Sequence, residues 1–192
     1  MMFKFFRRNP QKSSIARLYG TIVAQARATT FYRIYGVPDT VSGRFEMLVL
    51  HIVLVLRRLE AEPSAGRALG QALFDRFCSD MDGNLREMGV GDLAVPGKMR
   101  KIGEAFFGRQ ATYTAALAAS EPEPLAAALA RNVFDSPEEP APGALRLAAY
   151  IRLAAGRLAE QGAQALGRAE ITFPNPEGLA ATAETPSQDV VR

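Results

Sequence analysis

The sequence has 192 residues, a net charge of +3 and an apolar content of 48%. This size and composition allow one domain with a hydrophobic core, and no shift in composition along the chain requires a second domain. The single cysteine excludes an intrachain disulfide, which fits a reducing compartment. The absence of Trp, an aromatic content of only 8% and the many Ala and Leu residues favour helices over sheet.

The positive charge is concentrated towards the N-terminus. Residues 1–60 contain ten Lys and Arg against three Asp and Glu, whereas residues 121–192 contain six against ten. This asymmetry indicates an anionic partner for the N-terminal side, either lipid headgroups or RNA. A solvated basic face without a partner explains the same pattern, so both interpretations stay open.

Residues 1–12, MMFKFFRRNPQK, form a basic and aromatic tail. Their apolar part is too short for a secretory signal and precedes most of the charges, so we do not expect export. Rings and cations together suit a membrane interface, and a frayed terminus is the alternative. The residues predicted to contact a membrane or a ribosome are Phe3, Lys4, Phe5, Phe6, Arg7, Arg8 and Lys12.

Two helices are predicted between this tail and residue 60. The first is capped by Ser13 or Ser14 and extends to about Tyr35, where the turn sequence GVPD ends it. The second, residues 42–60, is apolar nearly all round and is therefore expected to be the central buried element. Its uninterrupted apolar run covers residues 47–56. Because a membrane span needs about 20 residues, we interpret this helix as part of the core.

A third helix is predicted from Pro63-Ser64, followed by a compact corner rich in charge and glycine. Asp82-Gly83 is interpreted as a turn, residues 84–88 as a short helical piece, and Gly89 and Gly91 as its end. The corner then leads into a fourth long helix.

The remaining helices are predicted over residues 98–119, 121–134 and 143–168, from apolar spacing and from proline and glycine at their ends. The segment after them is poor in large apolar residues and rich in Pro, Ser, Thr and acids. We therefore expect an all-α, compact single-domain bundle of about six or seven helices with a central apolar helix. This helical domain comprises residues 13–171, residues 1–12 form the N-terminal tail, and residues 172–192 are expected to be a disordered tail.

Metal and phosphate motifs in the corner fail on inspection. Asp80, Asp82 and Asn84 match the first ligand positions of a calcium loop, but Leu85 and Gly91 stand where Gly and Glu are required. The following glycines are spaced one residue too widely for a phosphate loop, which also lacks its Ser or Thr. We expect neither site.

Catalytic chemistry has few candidates. His51 is the single histidine, so a site with several His ligands is excluded and a hydrogen-bonded core residue is expected. Cys78 lies among apolar residues, where cysteine usually acts as a small hydrophobe, and His51 is the only imidazole available to activate it. We predict no catalytic residue, no metal and no cofactor.

The corner and the central helix carry a family resemblance. FDRFCSDMDGNLREMGVGDLAVPGKMRKIGEAFFGR and FYRIYGVPDTVSGRFEMLVLHIVLVLRRL resemble the ubiquinol–cytochrome c chaperone family, within a match that spans residues 18–133. The resemblance implies an α-helical protein without known catalysis that assists assembly of the respiratory ubiquinol–cytochrome c reductase. Mitochondrial members bind newly made cytochrome b and associate with the ribosome. The short N-terminus is unlike a mitochondrial presequence, so we expect a bacterial, cytoplasmic member, either free or peripheral on the inner membrane.

The expected partner is therefore nascent cytochrome b or a similar apolar membrane subunit, with no DNA. A ribosome, RNA or membrane-surface contact through the basic N-terminal third is the alternative. The corner combines flexible Met and aromatic groups with charge, which suits recognition of an apolar client, although a tightly packed corner with internally paired charges is the competing interpretation. The predicted client-binding residues are Arg86, Met88, Lys98, Met99, Arg100, Lys101 and Phe107.

Overall fold

The computed structural model describes residues 10–62, 65–136, 142–168 and 170–178. Within these ranges the chain forms helices and no strand, which confirms the predicted all-α class. Six of the helices have 11 or more residues and two have five. In chain order they are α1 (Pro10–Ala26), α2 (Thr29–Arg33), α3 (Val41–Glu60), α4 (Ala65–Glu87), α5 (Val95–Ala118), α6 (Glu123–Val133), α7 (Pro142–Ala159) and α8 (Ala163–Gly167).

The core is built around α3, as predicted for the central apolar helix. Thirteen of its 20 residues are buried, including the whole run from 47 to 56. It packs against α1, α4, α5, α6 and α7. Each buried Leu, Ile or Val side chain contributes about 1.5–3 kcal/mol relative to an exposed one. None of the helices in the described ranges combines the length and the apolar character needed to cross a membrane.

The predicted first helix is divided in the structure. It starts at Pro10, a little before the expected cap, and α1 ends at Ala26. Ala28 is extended (φ −57°, ψ 125°), so the chain turns before α2. The Tyr32 hydroxyl donates to the Ala26 carbonyl oxygen at 2.8 Å, which satisfies one of the free carbonyl groups at the end of α1.

The predicted last helix is also divided, into α7 and α8. Arg58 of α3 donates to the carbonyl oxygens of Leu158, at 3.1 Å, and Gln161, at 2.8 Å. A guanidinium from another helix thus satisfies the carbonyl groups at the end of α7. The apolar spacing of the sequence does not reveal such a contact, because the donor lies about a hundred residues away.

The predicted turn at Asp82-Gly83 is wrong, since α4 continues to Glu87. Arg86 donates to Asp82 at 2.7 Å, and a pair with this i,i+4 spacing stabilises the helix across the glycine. Gly89 follows with a φ of +80°. Glycine adopts this left-handed conformation without steric cost, so it stops the helix as predicted.

Residues 170–178 pack across the core, which differs from the disordered tail expected from residue 172. The ring of Phe173 lies 5.4 Å from that of His51 between centroids. The buried hydroxyl of Tyr35 donates to the carbonyl oxygen of Pro176 at 2.9 Å. The buried side chain of Ile171 and hydrogen bonds from Gln25 to Pro174 and from Gln161 to Thr172 add to these contacts. The small number of large apolar residues in the segment did not indicate this packing. Residues 179–192 lie outside the described ranges.

A buried ion pair joins α3 to α5. Arg109 donates to both carboxylate oxygens of Glu46, at 2.7 and 3.1 Å. The side chains are only 5% exposed for Glu46 and 29% for Arg109. Two parallel hydrogen bonds satisfy the carboxylate where water is largely excluded. The pair therefore sets the register of α5 against the N-terminal half of α3.

We expect Arg109→Ala to lower the free energy of unfolding by about 3 kcal/mol, because it leaves the Glu46 carboxylate buried without a cation. Urea denaturation followed by circular dichroism measures the change. Arg100→Ala is the matched control, since it removes only an exposed pair with Glu104 at 3.9 Å and should change stability little. Equal losses in the two variants would contradict a special role for the buried pair.

Candidate functional site

The corner between α4 and α5 is closed by charged side chains. Arg86 donates to Asp82, and it also donates to Asp92 in the loop that follows. These contacts tie the last turn of α4 to the start of the connection. Arg86 was predicted to contact a client. Its guanidinium pairs with these two aspartates, as the competing interpretation of internal pairs anticipates, while 48% of its side chain stays exposed.

Phe107 is both packed and exposed. Its ring lies 5.2 Å from that of Phe74 and 5.7 Å from that of Phe106, between centroids, so it extends the aromatic contact between α4 and α5. Nevertheless, 57% of the surface of Phe107 is exposed to solvent. An aromatic ring this exposed is available to a partner.

The other predicted client residues are accessible to different extents. Lys98, Arg100 and Lys101 are exposed and Met99 is partly buried. Met88 leaves 66% of its surface accessible. The structure thus presents both basic and apolar groups at the start of α5, although it does not gather all of them on one face.

An open groove lies where α1 and α4 end and α3 and α5 begin. It has a volume of about 800 Å³. Its lining is mostly apolar and includes charged residues in, or directly next to, all four helices. The lining residues are Val23, Ala26, Arg27, Val41, Ser42, Arg44, Phe45, Leu48, Met81, Asn84, Leu85, Glu87, Met88, Lys101, Ile102 and Ala105.

The groove collects two of the predicted client residues, Met88 and Lys101. Phe107 is not among its lining residues. Phe107 follows Ala105 by two positions, a rotation of about 200° around the helix, so it lies on another face of α5. The groove and the exposed ring of Phe107 are therefore two separate features of the predicted surface.

The apolar lining of the groove comes from regularly spaced residues. The α3 contribution is Val41, Phe45 and Leu48, which recur along one side of the helix at i, i+4 and i+7. Met81 and Leu85 of α4, with Met88 directly after the helix, have the same spacing. Val41 is 72% exposed despite being apolar. The groove thus has two apolar walls, which are largely exposed at Val41 and Met88 and reach inwards to the buried Leu48.

The contributions of α1 and α3 to this site were not predicted from the sequence. Val23, Phe45 and Leu48 follow the same helical spacing as their buried neighbours, and that spacing predicts a core face. Only Val41, an apolar residue in the first turn beside charged and polar neighbours, carried a signal. It was too weak to distinguish a groove from a core.

The α1 and α4 sides of the groove are held together by Tyr19. Its hydroxyl donates to Asp80 at 2.8 Å, and the Arg76 guanidinium lies 5.4 Å from the ring centroid. Burial, together with the hydrogen bond to Asp80, raises the pKa of Tyr19 well above its usual range. The hydroxyl therefore stays protonated and keeps its role as donor at any physiological pH.

Cations surround the mouth of the groove. Arg44 pairs with Asp39 at 2.6 Å, and this hydrogen bond lowers the pKa of the Asp39 carboxyl. Among the residues that the structure describes, neither Arg27 nor Lys101 takes part in an ion pair. The acid in the described lining is Glu87. The mouth therefore carries excess positive charge.

His51 has the environment of a core residue, as expected. Its Nδ1 lies 2.8 Å from the Met47 carbonyl oxygen and its Nε2 lies 3.4 Å from the Tyr150 hydroxyl. Burial lowers the pKa of His51 to about 4, opposed in part by the hydrogen bond to Met47. The imidazole is therefore neutral at physiological pH and Nδ1 donates to the carbonyl.

Cys78 is partly buried on α4, and burial, followed by the charge of Asp75, raises the pKa of its thiol. A protonated thiol is a poor nucleophile. Within the described ranges, no group of three or more His, Cys, Asp or Glu residues is arranged to hold a metal ion.

The predicted contacts of the N-terminal tail cannot be placed. Phe3, Lys4, Phe5, Phe6, Arg7 and Arg8 lie outside the described residues, and so does the side chain of Lys12.

The chain is similar to known proteins in sequence and in structure. A family model described as Ubiquinol-cytochrome C chaperone matches residues 33–173. Ubiquinol-cytochrome-c reductase complex assembly factor 1 of Xenopus laevis is 26% identical over 124 residues, which cover 65% of this chain and 62% of that relative. The crystal structure of the Cbp3 homolog from Brucella abortus matches with a TM-score of 0.81 and 41% identity, over 92% of this chain and 98% of that chain.

The pH dependence of stability tests the burial of His51. Below its ordinary pKa of 6.5 the unfolded chain binds a proton that the folded chain, with a pKa of about 4, does not. Stability should therefore fall as pH drops from about 6.5 to about 4, with a loss of about 2 kcal/mol at pH 5 from this residue. Urea denaturation at pH 7 and pH 5 measures it. His51→Gln, which does not titrate, should show a smaller difference, and an unchanged difference would contradict the assignment.

Proposed function

Because the chain belongs to the ubiquinol–cytochrome C chaperone family, we propose that it is a non-catalytic assembly chaperone that binds newly made cytochrome b, or a similar nascent membrane subunit. Binding would take place during biogenesis of the respiratory ubiquinol–cytochrome c reductase. The observation that carries this proposal is the open apolar groove with basic residues at its mouth.

The groove suits a client that exposes apolar surface before it is assembled. Contiguous apolar surface that stays open to solvent commonly marks an interaction site. Met81 and Met88 line the groove, and their flexible side chains adapt to partners of different shape. The site can therefore shield apolar client segments without requiring one rigid fit, which is what a chaperone needs.

The corner completes the proposed client surface. Lys98, Met99 and Arg100 lie at the start of α5, beside Lys101 in the groove, and Phe107 offers an exposed ring on another face. Arg86 has a different part in this proposal, because its pairs with the two aspartates stiffen the corner that carries these residues.

No catalytic step enters the proposal. The imidazole of His51 is buried and neutral, and the thiol of Cys78 is protonated, so neither is poised for proton transfer or nucleophilic attack. A chaperone would bind a client that is being inserted into a membrane at the membrane surface. We therefore place the protein at the cytoplasmic face of the inner membrane, bound peripherally while it holds its client.

Site-specific photo-crosslinking in cells tests the client. With a crosslinking amino acid at Met88, Lys98 or Phe107 of the full chain, we expect capture of newly made cytochrome b, identified by mass spectrometry. Leu153, an exposed leucine on α7 away from the groove and the corner, is the control position and should not capture it. Absence of cytochrome b at all three sites with normal expression, or equal capture from Leu153, would overturn the proposal.

A second contact is proposed for the basic N-terminal third. Three exposed arginines continue the positive charge of the tail: Arg17 on α1, Arg27 in the turn after α1 and Arg33 on α2. A ribosome or an anionic membrane would be attracted to such a surface.

For this second contact we expect co-sedimentation with ribosomes that falls steeply as salt rises, since phosphate contacts release counterions. Joint replacement of Lys4, Arg7 and Arg8 by Ser should weaken it. Joint replacement of Arg67, Arg131 and Arg157 by Ser, three exposed arginines on other helices, is the control for the loss of charge. No co-sedimentation at low salt would exclude the ribosome, and binding to anionic vesicles alone would assign the contact to the membrane.

A further inference from the structure

We propose that the groove receives an amphipathic helix whose apolar stripe is flanked by carboxylates. The identification of that helix as part of the client rests on the proposed function. The chemistry of the occupant rests on the groove alone: its two apolar walls, its volume and the sign of the charge at its mouth.

The walls of the groove have the spacing of another helix. Val41, Phe45 and Leu48 form a row along α3. The end of α4, together with Met88 directly after it, supplies a second row with the same i, i+4, i+7 spacing. Seven residues of helix extend about 10 Å, so each row runs for about two turns. Rows of this kind accept the ridge of a third helix, whose apolar residues recur at i, i+3, i+4 and i+7.

The space available fits such a ridge. The groove measures about 800 Å³, towards the upper end of the roughly 300–1,000 Å³ found for sites that bind small molecules. Its lining is largely exposed at Val41 and Met88, so a helix can lie against it with one face buried and the other in water. Its methionines can adjust to different side chains along the stripe.

The positive charge at the mouth of the groove favours acidic residues on either side of the apolar stripe of that helix. Arg27 at the end of α1, Arg44 of α3 and Lys101 of α5 place cations on three of the four walls, against Glu87 of α4. Arg44 forms an ion pair with Asp39, which offsets part of its charge. Within the described part of the chain, Arg27 and Lys101 have no ion-pair partner. Complementary charge across an interface raises specificity, so acids beside the apolar stripe are favoured and lysines are disfavoured.

A matched pair of peptides tests this inference. Two fluorescent 18-residue peptides would share one leucine stripe at helical spacing and differ only in flanks of Glu or Lys. With the purified full chain, we expect fluorescence anisotropy to give a Kd about tenfold lower for the Glu peptide at low salt. The difference should shrink at about 1 M salt, because exposed charges are then screened within about 3 Å.

Variants of the groove locate the binding. Ala105→Trp fills the groove and Met88→Glu adds an acid at an exposed rim position, so both should weaken the Glu peptide about tenfold. Lys101→Glu should weaken the Glu peptide by a similar factor and improve the Lys peptide. Ala111→Trp, at an exposed position of α5, and Arg131→Glu, on α6, are matched controls that should stay within about twofold. Met88→Glu is informative even if Ala105→Trp fails to fold, because Met88 is largely exposed.

Three results would overturn the inference. They are equal affinity for the two peptides, unchanged binding by folded groove variants, and binding of an anionic lysophospholipid in the groove where neither peptide binds. The last result would assign the groove to lipid. If the Glu peptide binds in the groove but crosslinking captures no cytochrome b, the groove inference stands and the proposed client is wrong. If cytochrome b is captured but the peptides do not discriminate, the client stands and the acidic helix is excluded.

Discussion

The structure depends on the burial of α3. The other long helices of the described chain all pack against it, and its residues from 47 to 56 have almost no contact with water. Burial of so much apolar surface offsets the conformational entropy lost when these helices are ordered. Polar groups at this centre are satisfied rather than removed: His51 bonds to the backbone of its own helix and Glu46 receives two hydrogen bonds from Arg109.

The groove arises where this burial stops. The first turns of α3 extend beyond the packed centre, so Val41 and Arg44 are exposed while Met47 is fully buried. α1 and α4 end at the same part of the bundle, and no other helix of the described ranges covers the space between them. A helix that is apolar along its length therefore serves two purposes, as the core in its middle and as the wall of an open site at its start.

Three side-chain contacts connect the elements around this open site. The Tyr19 hydroxyl bonds α1 to α4, Arg109 bonds α5 to α3, and Arg86 closes the corner. Each contact links two of the elements that line the groove, or stiffens the loop between them. A preformed site loses less entropy when it binds, so a fixed frame with flexible methionines inside it combines affinity with tolerance for different clients.

The sequence by itself determined the helical class, the central place of α3, the helix stop at Gly89 and the family, although it predicted a turn at Asp82-Gly83 where α4 continues. Apolar periodicity and a glycine at a left-handed position are local signals, and the family follows from a long ungapped pattern. It also identified Met88 and Lys101 as candidate contacts. Only the tertiary structure decided that Arg86 is engaged in the corner, that residues 170–178 pack on the core, and that the ends of four helices form a groove. Those features depend on contacts between residues far apart in the chain, such as Arg58 with Leu158 and Tyr35 with Pro176, and periodicity along one helix contains no information about them.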